Sequence, residues 1–139
     1  MIYLKTDEEV ELMRRSNDLL GRTLAEVAKV IRPGVTTAEL DKVAYEFICD
    51  NGGIPSCLGY EGYPATLCTS VNEQVVHGIP SDKVILRDGD IVSVDTVVKL
   101  GGFCADSAYT FPVGDVAPEV LQLMRTTKQA LYLGIEQAV

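Results

Sequence analysis

The sequence has no tryptophan, one histidine, three phenylalanines and no run of basic residues. Its 12 Lys+Arg stand against 20 Asp+Glu, for a net charge of −8. An acidic chain without a basic stripe is unsuited to a phosphate backbone, so no nucleic-acid partner is expected. No apolar run approaches the ~20 residues that span a bilayer, so no membrane partner is expected either. The opening Met1-Ile2-Tyr3-Leu4-Lys5-Thr6-Asp7-Glu8 lacks a basic segment followed by an apolar one, and no secretory signal is read. The expected location is the cytoplasm. Cys49, Cys57, Cys68 and Cys104 include no C-x-x-C pair, which argues against structural zinc. In a cytosolic chain they are expected as free thiols. With His77 the only histidine, any serine or cysteine triad would have to be built around it.

What is present suits a globular domain. A chain of 139 residues, 47% hydrophobic and 23% charged, is long and apolar enough to bury a core. Thr6-Asp7-Glu8-Glu9 has the form of a capping box. It opens a helical stripe of Val10, Met13, Leu20, Leu24, Val27 and Ile31, which Pro33-Gly34 ends. Thr36-Thr37-Ala38-Glu39 repeats the box ahead of Leu40, Val43, Ala44, Phe47 and Ile48, and Asn51-Gly52-Gly53 stops that second helix. Pro55 to Pro64 reads as a loop, and Ala65–Val71 and Glu73–Val76 read as short strands. Asp90–Leu100 and Phe103–Phe111 flank Gly101-Gly102, a strong hairpin signal. Pro118 suits the first turn of a third helix with the stripe Val120, Met124, Leu131 and Ile135, a pattern still running at Val139. Helices beside a largely antiparallel sheet predict an α+β architecture.

The hairpin carries the most informative geometry. If Gly101-Gly102 is a two-residue turn, Asp95 lies opposite Ala108 and Asp106 opposite Val97. The two aspartates are then diagonal neighbours on one face, ~7–8 Å apart. A bulge or a three-residue turn would separate them. Asp95 sits in Ile91-Val92-Ser93-Val94-Asp95-Thr96-Val97-Val98, a run that otherwise reads as buried strand. A buried carboxylate needs compensation, and two close carboxylates do not both ionise cheaply. A distant Arg or Lys, a shared proton or a divalent cation would each supply it. A shared proton is the arrangement of an aspartic-protease dyad, which usually places each Asp on its own loop. His77, in Val75-Val76-His77-Gly78-Ile79-Pro80, falls at the end of a strand-like run, where active-site residues concentrate. A lone histidine is more often a satisfied core or surface residue.

Four segments, in order and spacing, resemble a known family. They are Cys57-Leu58-Gly59-Tyr60-Glu61-Gly62-Tyr63-Pro64, Asn72-Glu73-Gln74-Val75-Val76-His77-Gly78-Ile79-Pro80, Asp88-Gly89-Asp90-Ile91-Val92-Ser93-Val94-Asp95 and Asp106-Ser107. The family is type I methionine aminopeptidase, and the stretch Ile2 to Arg15 resembles the start of its bacterial form. The resemblance implies the pita-bread fold: two pseudo-symmetric α/β halves forming an antiparallel sheet backed by helices. It implies removal of the initiator methionine from nascent polypeptides with a small second residue. It also implies two divalent metal ions (cobalt, manganese, iron or zinc), held by five side chains, and a water that they activate for attack on the scissile carbonyl.

By this resemblance Asp95 and Asp106 are metal ligands, with Asp106 bridging both ions. His77 is similar to the histidine that hydrogen-bonds the substrate near the scissile amide and steadies the tetrahedral intermediate. Cys57, Tyr60, Tyr63 and Cys68 resemble part of the methionine side-chain pocket, where sulfur and aromatic edges suit a thioether. On the residues alone, the tyrosines could equally anchor a loop and the cysteines fill a core. The backbone carbonyls of Asn72 and Gln74 match positions that hold a monovalent cation in some members.

The family's other ligands, one His and two Glu, lie in its second half, and no histidine follows His77 here. Residues 1–139 are therefore expected to be the N-terminal half of a single metallopeptidase catalytic domain: two helices, an antiparallel sheet with a hairpin, and a third helix. The C-terminal half is expected to be a missing partner. A second reading is a non-catalytic half-fold that dimerises or binds a partner through its open sheet edge. A third keeps the fold but cleaves proline- or creatine-type substrates, against which the Cys57–Pro64 loop argues.

Overall fold

The computed structural model describes residues 3–138; Met1, Ile2 and Val139 lie outside it. In chain order the elements are α1 (Asp7–Val30), α2 (Thr37–Asp50), β1 (Ile54–Pro55), a single 3-10 turn (Tyr60–Gly62), β2 (Cys68–Val71), β3 (Ile91–Leu100), β4 (Phe103–Pro112) and α3 (Pro118–Ile135). Both capping boxes form. Thr6 N–H donates to Glu9 Oε2 at 2.9 Å and Glu9 N–H donates back to Thr6 Oγ1 at 3.3 Å. The Thr36–Glu39 pair repeats this at 2.7 and 3.2 Å. Each box satisfies two N–H groups that a helix start leaves without intrahelical partners.

β3 is the centre of the sheet. Its whole length pairs antiparallel with β4 on one edge. On the other edge β1 and β2 follow one another, Pro55 opposite Val98 and Cys68 opposite Asp95. Between them the ladder is interrupted, and Val97 N–H donates to Cys57 Sγ at 3.3 Å. Alternate β3 residues Val92, Val94, Thr96 and Val98 are fully buried, the period of two that a strand with one covered face requires. Helices α1 and α2 cover that face. Val27, Leu40, Ala44, Leu67, Leu86, Val92 and Val94 form one core cluster, and Leu19, Leu20, Ile48, Val98 and Ala105 the other. Ser16 docks α1 on the hairpin turn, its hydroxyl 3.0 Å from the carbonyls of both Leu100 and Phe103.

Three elements differ from expectation. Glu73–Val76 is not a strand. Asn72 turns to φ 52, outside the extended region, and its side chain takes over the ladder, accepting from Ile91 N–H and donating to Asp90. Gln74 then closes a turn on Val71, and Val75 and Val76 are left 88% and 62% exposed. His77 accordingly stands in a loop rather than at a strand end. The strand expected over Ala65–Val71 begins only at Cys68, because side chains, not a neighbouring strand, hold the backbone before it. Helix α3 ends at Ile135, where Glu136, Gln137 and Ala138 bond back into a tight last turn. It buries none of its residues, and Leu123, Leu131, Tyr132, Leu133 and Ile135 are each more than half exposed.

This contrast is measurable. Leu40→Ala, at a position with no exposure, is expected to lower unfolding free energy by about 2–5 kcal/mol in urea. Leu131→Ala on α3 is expected to change it by no more than about 0.5 kcal/mol in the isolated chain.

Candidate functional site

The two aspartates meet as the turn geometry requires. Gly101 and Gly102 both have positive φ, 59° and 90°, the conformation that joins strands tightly without splaying them. Leu100 then pairs with Phe103, Asp95 with Ala108, and Val97 with Asp106. Asp95 and Asp106 are diagonal neighbours on the face turned away from α1 and α2. Asp95 is half-buried and Asp106 exposed. Desolvation pushes the Asp95 carboxyl above its ordinary value, and the Asp106 charge pushes it further. His77 and a hydrogen bond from the Thr96 backbone act in the opposite sense. Lys99 is the cation on this face that stands diagonal to Asp106, yet neither aspartate forms an ion pair within 4 Å among the described residues. The carboxylates therefore stay together without a described counter-cation.

Above them the His77 loop closes one side of a recess of about 180 Å³. It is lined by Ser70, Val75, Val76, His77, Ser93, Asp95, Ala108 and Thr110. Ser93 and Thr110 face each other across the hairpin with their hydroxyls 2.8 Å apart. His77 is held at φ 59, an unusual conformation for a residue with a Cβ, which the packing around it must impose. Gly78 provides that packing. Its carbonyl accepts from Thr69 N–H at 2.7 Å and its N–H donates to Ser70 Oγ at 3.1 Å. A Cβ on Gly78 would stand 2.2 Å from Thr69 O, so only glycine lets the loop lie this close to β2.

The remaining expected residues divide into two groups. Cys68 lies opposite Asp95 in the ladder and is buried, and Cys57 fills the gap between β1 and β2. Burial is the main cause pushing both thiols above their ordinary value, which favours the neutral thiol over the thiolate. Tyr63 is half-buried with its hydroxyl on the Leu67 carbonyl, and burial raises its phenol as well. Tyr60 is 69% exposed in the 3-10 turn, and Asn72 and Gln74 lie in the turn after β2. Of the expected site residues only His77 and Asp95 line the recess; Asp106, Cys57, Cys68, Tyr60, Tyr63, Asn72 and Gln74 lie outside its lining. All four cysteines are free.

The donor set suits a hard divalent cation in part. Asp95 and Asp106 offer carboxylate oxygens, the ligands such ions prefer. No group of three or more His, Cys, Asp or Glu side chains arranged for a metal ion occurs among the described residues. One carboxylate of the site region was not foreseen. Asp41 on α2 accepts from both Thr66 N–H (2.9 Å) and Leu67 N–H (2.7 Å), holding the segment that leads into Cys68. Desolvation pushes its carboxyl up against the opposing pull of those two bonds. In sequence it is one more polar residue on an amphipathic helix, with no local signal of this reach.

Comparison with known proteins bears on this geometry. Residues 11–139 match the model of metallopeptidase family M24. The methionine aminopeptidase of Clostridium acetobutylicum is 46% identical over 139 residues, covering all of this chain and 56% of that protein. The crystal structure of methionine aminopeptidase from Rickettsia prowazekii superposes with a TM-score of 0.92 at 38% identity, covering 95% of this chain and 53% of that one. An Xaa-Pro dipeptidase from Bacillus anthracis superposes at 0.70 and 21% identity, covering 86% of this chain and 32% of that chain, a likeness of fold alone. The chain spans about half the length of the curated relatives it matches. Its three helices and antiparallel sheet are the α+β half of a pita-bread fold. By the match over residues 11–139, the chain belongs to metallopeptidase family M24.

Proposed function

We propose that residues 1–139 form the N-terminal half of one metallopeptidase catalytic domain, and that the whole domain is a methionyl aminopeptidase. Its substrates would be nascent polypeptides with a small second residue, cleaved in the cytoplasm; no helix of the described residues is long and apolar enough to cross a membrane. The observation that carries the reading is the diagonal placement of Asp95 and Asp106 on one sheet face, next to His77 and without a described counter-cation. Likeness to methionine aminopeptidases along the full chain supports it.

Asp95 and Asp106 would hold two divalent ions (cobalt, manganese, iron or zinc), Asp106 shared between them, with one His and two Glu from the C-terminal half completing the set. Bound there, the metal supplies Lewis-acid polarisation of a carbonyl and a water acidic enough to serve as nucleophile near neutral pH. His77 would donate a ring N–H to the substrate beside the scissile amide and steady the negative charge that develops on the carbonyl oxygen. Cys57 and Cys68, kept protonated by burial, and the rings of Tyr60 and Tyr63 would receive the methionine thioether. The carbonyls of Asn72 and Gln74, in the turn that carries the chain from β2 to His77, would hold a monovalent cation.

A second reading has its own support. The outer edge of β4 pairs with no described strand, and α3 exposes Leu131, Tyr132 and Leu133. A non-catalytic module could bury these surfaces against a second copy. Light scattering separates the two readings, since a stable soluble monomer contradicts self-association.

Two outcomes are expected. Mixed with the C-terminal half of the Clostridium acetobutylicum relative and cobalt or manganese, the chain should hydrolyse Met-Ala-Ser, whereas the chain alone should not. No turnover in the mixture would sink the proposal. The second concerns stability and pH. Because the folded Asp95 carboxyl is raised, its contribution is fully present below the unfolded value and is lost as pH rises through the folded one. Asp95→Asn should therefore stabilise the chelator-treated chain at pH 7 and lose that advantage on acidification, read by urea unfolding. Millimolar manganese should narrow the gap by stabilising the wild type alone.

A further inference from the structure

The Tyr63 hydroxyl does something that a pocket wall does not require. Its Oη lies 2.9 Å from the Leu67 carbonyl and 3.3 Å from that of Gly78, sharing one hydrogen between them. These carbonyls belong to different segments. One is the buried run Ala65–Cys68, which ends opposite Asp95. The other is the loop that carries His77. Burial keeps the phenol protonated across the working range, so the hydroxyl remains a donor.

The first segment is anchored from two sides. Asp41 Oδ1 accepts the N–H groups of Thr66 and Leu67, and Thr96 Oγ1 donates to the Thr66 carbonyl at 2.8 Å. The second segment has less to hold it. Gly78 bonds to Thr69 and Ser70, but the exposed His77 imidazole makes no hydrogen bond in the described structure. The hydrogen bonds that locate the ring are therefore those of the adjoining backbone, which Gly78 pins to β2.

We propose that Tyr63 is a positioning residue for His77: its hydroxyl, bridging the Leu67 and Gly78 carbonyls, ties the His77 loop to the segment that Asp41 anchors. The functional value of this tie rests on the role given to His77 above, but the tie itself belongs to this chain alone. Asp41 acts through one oxygen, Oδ1, which takes both N–H groups. A hydroxyl that merely steadied the Cys57–Pro64 loop would leave His77 unmoved.

The test uses the full isotope-labelled chain without metal. His77 is the only histidine, so its imidazole resonances are unambiguous. In Tyr63→Phe, which keeps the ring, these cross-peaks should move and Gly78 amide exchange should rise about three- to tenfold, the loss expected for one hydrogen bond. Exchange at Val27, in the helix core, should stay as in the wild type. Asp41→Asn, which keeps an oxygen acceptor, should leave the imidazole peaks in place, whereas Asp41→Ala should shift them as Tyr63→Phe does. Unmoved imidazole peaks and unchanged Gly78 exchange in Tyr63→Phe overturn the proposal. So does an equal rise at Val27, which would mark general destabilisation. None of these readouts depends on peptidase activity, so failure of the Met-Ala-Ser assay would leave them intact.

Discussion

The register of the β3–β4 hairpin is the constraint on which the rest depends. A strand shows alternate residues to opposite faces, so a slip by one residue would send Asp95 into the helix-covered core and Val94 to the open face. Two things forbid that slip. The Gly101-Gly102 turn accepts the positive φ values that a two-residue connection demands. The unbroken burial of Val92, Val94, Thr96 and Val98 under α1 and α2 adds an apolar cost to any alternative. With the register settled, Asp95 and Asp106 have no freedom to separate. Their mutual repulsion is contained by the fold instead of being relieved by it.

The open face is then finished by backbone held against backbone. Gly78 lies on β2 at a distance no side-chain-bearing residue permits, the Asn72 side-chain amide bonds Ile91 N–H and Asp90 where the ladder ends, and Cys57 sulfur fills the ladder gap at Val97. These contacts bring a histidine in a left-handed conformation to the rim of a recess that contains Asp95. The helices cover the opposite face, packing Leu40 and Ile48 into the two core clusters that include Val94 and Val98 of β3. Core and site thus lie on opposite faces of one sheet. Changes at Asp95 are free to alter charge and binding while leaving the buried face packed.

Much of this is legible in the sequence because it is local. The Thr6 and Thr36 capping boxes, the Gly-Gly turn and the diagonal aspartates follow from spacing within a few residues or across one tight turn, and each is found as expected. What was not legible depends on contacts distant in sequence. Val75 and Val76 have the composition of a strand, but Asn72 ends the ladder before them and no partner waits. Ala65–Leu67 has the composition of a strand yet is bonded to Asp41, Tyr63 and Thr96, residues whose meeting no short-range pattern announces. The α3 stripe is amphipathic by period, while none of its residues is buried by the rest of this chain.

If Asp95 and Asp106 hold metal as proposed, this face, and not the acidic surface at large, should gather divalent cation. The direct measurement is residue-by-residue broadening of the chain's amide resonances by substoichiometric manganese. Broadening centred on Asp95, Asp106, Ser107 and His77 is the predicted result. Broadening that instead follows exposed acidic clusters, such as Asp7, Glu8 and Glu9 at the start of α1, with the hairpin untouched, would contradict it.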